Sequence, residues 1–175
     1  MKFSFVIRKF DKMKNKAIAL SLLMASLITM HSCKKDKSDT EADNALYSEV
    51  ASTGYSYYQN GNVLPRVSPS PHGNFKLRFN AKALSALDST GELPPGSSFP
   101  SGSIIVKEVF SGSSVSLYAV MKKDPSNDNA GNGWVWAEFN PDGSAAFSVV
   151  KKGDGCISCH SGTPNRDLTR TFDLH

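Results

Sequence analysis

The sequence is short of the residues that mark several common classes of protein. It has three cysteines in 175 residues, and beyond Cys33 they form a single pair, Cys156 and Cys159. Without a second pair, a four-cysteine zinc site is excluded. After residue 33 Met121 is the lone methionine, and the histidines are His72, His160 and His175. The apolar run from Ala17 to Met30 is fourteen residues long, against about 20 for a membrane-spanning helix. No internal repeat is present. An excess of one charge is also missing from most of the chain. The formal net charge is +4, but residues 1–32 set Lys2, Arg8, Lys9, Lys12, Lys14 and Lys16 against Asp11 alone. The other 14 basic and 15 acidic residues leave positions 33–175 near −1. That balance gives no nucleic-acid footprint, and no nucleic-acid partner is expected.

What remains suits an exported globular domain. Charged residues make up 21% and aromatic residues 10%, a composition that permits a packed core. A basic stretch ending at Lys16, the apolar run, and then His31, Ser32 and Cys33 read as a signal peptide. Met13 opens a leader of its own, so translation starts at Met1 or Met13. Cys33 follows a small residue, as in a lipoprotein signal, where the cysteine is lipidated and becomes the new N-terminus. Ordinary cleavage would instead leave a free thiol, which is awkward in an oxidising compartment. The expected organisation is a lipoprotein signal at 1–32, a flexible tether at 33–44 from a lipidated Cys33, and a folded domain at 45–175. This predicts membrane attachment through Cys33, with the domain facing the periplasm or the cell surface.

The domain reads as α+β, predominantly an antiparallel sheet with one or two short helices. Residues 45–59 predict a short amphipathic helix, weakened by Gly54, and 60–74 a loop. FKLRF at 75–79 alternates as a strand does. Asn80 is placed to cap a helix over 81–87. After a long loop at 88–102, SIIVKEVF (103–110) and SVSLYAVM (114–121) read as consecutive strands. Residues 132–139, which include GWVWAEF, the turn NPDG (140–143) and SAAFSVV (144–150) form a predicted hairpin. Short turns between successive strands argue for antiparallel pairing.

The chemistry is concentrated in Cys156-Ile157-Ser158-Cys159-His160. Two thiols three residues apart on one turn can add to the two vinyl groups of a porphyrin, and the next histidine reaches the iron from the same side. The expected cofactor is one covalent haem c per chain, with its iron on His160. A redox dithiol would sit near a βαβ pattern, which is absent. The motif lies near the C-terminus, so most of the haem pocket comes from upstream residues. The sixth ligand decides the function. A haem with two strong ligands carries electrons, whereas an open face binds and transforms small molecules. Met121 reads as core, His72 lies in a proline-rich loop, and His175 is the last residue. By elimination the distal face is expected to be open.

These residues resemble the cytochrome P460 family. The likeness covers roughly residues 72–173 and is carried by FKLRFN, AKALSAL, FPSGSIIVKE, GCISCHSG and the stretch from Asp167 to Phe172. It implies a small, exported, sheet-rich monohaem protein that forms a homodimer and exchanges electrons with a partner cytochrome. In the hydroxylamine-oxidising members a lysine of the V-K-E strand is joined covalently to the haem edge, and the matching residue is Lys107. A second branch, resembling cytochrome c′-beta, lacks the link and binds nitric oxide or carbon monoxide at an open iron. Read from the residues alone, Lys107 is equally a surface or snorkelling lysine. The oxidising members also hold a carboxylate over the distal face, on a neighbouring strand. Matching SLYAVMKK to that strand puts Tyr118 there, a phenol and a poor general base at neutral pH. The resemblance thus implies oxidation of hydroxylamine, or binding or oxidation of nitric oxide, with Lys107 and Tyr118 as candidate catalytic residues. A gas-binding protein and an electron carrier are the alternatives. Trp134 and Trp136 are expected in the core or a dimer contact, Phe99 and Pro100 packed at the start of the long strand, Phe147 and Phe172 near the haem, and Arg78 and Arg170 at its propionates.

Overall fold

The computed structural model describes residues 37–173, so the leader, Cys33 and His175 lie outside the described residues. The chain builds one six-stranded sheet, with strands in sequence order and every neighbouring pair antiparallel. The strands are β1 (Ser56–Tyr57), β2 (Phe75–Phe79), β3 (Ile104–Ser111), β4 (Ser114–Lys123), β5 (Trp134–Phe139) and β6 (Ala145–Phe147). Among the described residues three α-helices accompany them: α1 (Lys37–Val50), α2 (Ala81–Leu84) and α3 (Cys156–His160). The α+β reading therefore stands, with β2 at its expected bounds and β1 an added short edge.

Side-chain alternation explains why the sheet is covered on both sides. Successive residues of a strand point to opposite faces. On one face Phe75, Leu77, Phe79, Ile105, Met121, Trp134 and Trp136 form a core with Leu93, Phe99 and Phe172. On the other, Ile104, Val106, Val120, Val135, Ala137 and Phe139 meet Leu46 and Val50 of α1 and Val149. Asn80 ties the first of these layers together. Its Oδ1 accepts from the backbone N–H of Ala83 (2.9 Å), capping α2, and from that of Ile104 (3.0 Å), at the start of β3.

The N-terminal helix departs from expectation. It runs from Lys37 to Val50, not over 45–59, so residues 37–44 are helical and not a flexible tether. The cause is long-range. The buried Asp43 carboxylate accepts from the Ser148 hydroxyl (3.0 Å) and the Val149 N–H (2.9 Å), while Leu46 and Val50 enter the core. The helix stops before Gly54, whose φ is +99°, and the chain then enters β1.

Candidate haem site

One row of paired residues crosses the sheet: Leu77, Lys107, Ala119, Glu138 and Phe147, on β2 to β6 in turn. All five share a face, because directly opposed residues point the same way. Lys107 and Glu138 are two strands apart, hence about 10 Å between backbones. Above this row lies a crevice of about 460 Å³, solvent-open space included, which Ile105, Met121 and Trp136 also line. A second hollow, about 590 Å³ counted the same way, adjoins it and adds Ser70, Pro71, Gly155, Cys159 and Arg170. His72, Lys107, Glu138, Cys156 and His160 line both.

The turn α3 faces this crevice. Gly155 precedes it with φ +81° and Gly153 with φ +75°. Gly153 is needed for space as well: a β-carbon there would fall 2.5 Å from the Trp136 ring. The close approach lets Trp136 meet His160 edge to face, with centroids 5.0 Å apart. Cys156 is half-buried and Cys159 exposed, and both are free thiols. Burial pushes the Cys156 thiol pKa up, and the negative charge of Glu138 adds to the shift. His160 Nδ1–H donates to the Leu168 carbonyl at 2.7 Å, which leaves Nε2 with its lone pair. Burial lowers the His160 pKa to about 4 against the opposing pull of that carbonyl, so the ring is neutral and fit to bind a metal.

Two polar groups stand opposite. The Lys107 amine lies 4.2 Å from the centre of the Phe75 ring. Burial depresses its pKa to about 8. Glu138 Oε1 is 3.0 Å from His72 Nε2. A thiol pair on one turn, a neutral histidine with a free ring nitrogen and a largely apolar crevice together fit a haem. Among the described residues, no group of three His, Cys, Asp or Glu side chains is arranged to hold a metal ion.

Comparison with known families agrees with that chemistry. The family model described as Cytochrome P460 matches residues 56–171. The chain belongs to the cytochrome P460 family. No curated protein matches it. Membership in the P460 family carries the capacity to bind haem. The match takes in the whole sheet and the CISCH turn and starts after α1.

Within this P460 domain, Lys107, Cys156, Cys159 and His160 come together at one crevice. Tyr118 does not join them. It pairs with Glu108 on β3 and Phe139 on β5, in the row facing away from the crevice, and packs against the second core. The residue opposite Lys107 on β4 is Ala119, and the carboxylate of the face is Glu138 on β5. Sequence reading missed Glu138, although its spacing from Trp134 and Trp136 puts all three on one side of the strand. Arg78 is also elsewhere: its Nε is 2.9 Å from Glu108 and its guanidinium covers the Tyr55 ring, both on the far face. Arg170 does line the crevice. Met121 is buried core that reaches the cavity wall. Phe172 stacks on Phe79 at 6.1 Å within the first core, and Phe147 packs beside it.

Proposed function

We propose that the chain is an exported monohaem c-type cytochrome that oxidises hydroxylamine and binds or oxidises nitric oxide at an open iron face. The observation that carries the reading is the shared row of Lys107 and Glu138 on the sheet face opposite the CISCH turn. Cys156 and Cys159 are the thioether attachments, and His160 Nε2 is the protein ligand. Haem iron held there supplies the redox centre and a coordination position for a small nitrogen compound.

The residues do the remaining work. Glu138 is the general base that takes protons from a bound N–H or O–H group. His72 holds its carboxylate in place from the loop side. Ile105, Ala119 and Met121 keep the reacting space apolar, which strengthens the polar interactions made inside it. Lys107 has the depressed pKa that raises its share of free amine, and it would present that nitrogen to the ring edge, where exchanging a ring C–H for a C–N bond releases two protons and two electrons to an oxidant from outside the protein. A lipid on Cys33 anchors the protein, a second copy completes a homodimer, and a partner cytochrome accepts the electrons.

Absorption spectra of the purified haem-loaded protein, oxidised and then reduced, test this reading. A strongly red-shifted reduced Soret band, followed by hydroxylamine turnover, supports it. High-spin bands at ordinary positions without turnover favour gas binding alone. Sharp low-spin bands in both states mean two strong axial ligands and an electron carrier.

A further inference from the structure

The C-terminal segment holds a mostly buried carboxylate that the proposed reaction does not use. Asp167 lies seven residues past His160, and its side chain is 10% exposed. Its Oδ1 accepts from Lys123 Nζ at 2.6 Å and from the Trp134 indole Nε1 at 3.4 Å. Its Oδ2 accepts from the backbone N–H of Phe99 at 2.9 Å. These donors belong to the end of β4, the start of β5 and the loop ahead of β3. One side chain thus fastens the C-terminal segment to three parts of the sheet's rim.

The backbone at this point is unusual. Asp167 has φ 52° and Leu168 has φ 65°. Leucine rarely enters the left-handed region, because its β-carbon crowds the following carbonyl and it has no polar group to bond locally. Such a conformation persists only where the surroundings hold it. Here it has a specific result. The turned Leu168 directs its carbonyl oxygen to His160 Nδ1, at 2.7 Å.

We propose that Asp167 is a positioning residue for iron ligation: its carboxylate holds the left-handed Asp167–Leu168 pair and so aims the Leu168 carbonyl at His160. That carbonyl fixes the ring's tautomer and orientation, and it raises the basicity of Nε2. The proposal rests on the reading of His160 as the iron ligand. Lys123 contributes through the ion pair that keeps Asp167 in register, with its amine also 5.0 Å from the centre of the Trp134 ring.

The test uses the full, haem-loaded protein. The iron–histidine stretching band of the reduced form is recorded by resonance Raman for wild type, Asp167→Ala, Asp167→Asn and Lys123→Met. Asn80→Ala, which uncaps α2 away from the crevice, serves as a control for lost stability. The band moves to lower wavenumber in Asp167→Ala and by less in Asp167→Asn and Lys123→Met. Asn80→Ala lowers the melting temperature and leaves the band in place. If the Asp167 variants lose stability as Asn80→Ala does, with the band unmoved, the role is structural and the proposal is overturned. If Asp167→Ala fails to load haem, the two milder variants decide by the same criterion. A wild-type band that survives His160→Gly removes the ligand assignment itself, and the proposal with it.

Discussion

His72 Nε2 lies 3.0 Å from Glu138 Oε1, joining a proline-rich loop to the fifth strand across 66 positions of sequence. The pair stands over the crevice that His160 faces. Glu138→Gln keeps the shape and removes the base. It is expected to lower hydroxylamine turnover by about 10²–10⁴-fold, the usual contribution of a positioned general base, with little change in the absorption spectrum. Steady-state kinetics check this. His72→Ala, which leaves the carboxylate present but loose, has the smaller effect.

Lys107 is tested through the ring it reaches. Lys107→Ala is expected to return the reduced Soret band from a red-shifted position to that of an ordinary c-type haem. Mass spectrometry of the haem-bearing peptides then shows one covalent connection fewer. A variant spectrum that overlays wild type would mean that the amine is not bonded to the ring.

Two partly buried bases give the haem-free chain a pH dependence in separate windows. His160 has its pKa lowered from 6.5 to about 4 by burial. Between those values the unfolded chain binds the extra proton, so stability falls as pH drops from about 6.5 to about 4. Lys107 has its pKa lowered from 10.5 to about 8 by burial. The unfolded chain again binds more protons in between, so stability rises as pH increases from about 8 to about 10.5. Thermal melts across both ranges check this. His160→Gln flattens the lower window and Lys107→Met the upper one.

The anchor is tested by fractionation. Cys33→Ser is expected to move the protein from the membrane fraction to the soluble one. Its spectrum should not change, because the described lining of the crevice, from Ser70 to Thr171, lies far along the chain from Cys33. Among the described residues no helix is long and apolar enough to cross a membrane.

The haem motif and the strands were legible because their signals are local. CISCH needs only its own spacing, and FKLRF declares its buried face by alternation. The features that escaped depend on partners far along the chain. KSDTEADN looked like solvated tether because nothing nearby shows that Asp43 meets Val149. Tyr118 was misplaced because neighbouring residues on a strand face opposite ways, and only the β3–β4 register shows that Ala119 is the one opposite Lys107. Glu138 was readable from its parity with Trp134 and Trp136, yet only the β4–β5 register brings it into line with Lys107. Asp167 lies in a stretch without periodicity, and its partners come from three other segments.

The bond between Asp43 and Val149 also decides where the chain can be trimmed. A boundary drawn by composition, at residue 45, discards the carboxylate but keeps the Ser148 hydroxyl and the Val149 amide that it serves. A buried donor stripped of its acceptor costs about 1–3 kcal/mol. The loss falls seven residues ahead of Cys156, on the approach to the turn where haem is attached. A leaderless version cut before Lys37 keeps that approach intact, while one cut at 45 is expected to mature poorly although every residue of the crevice is still in it.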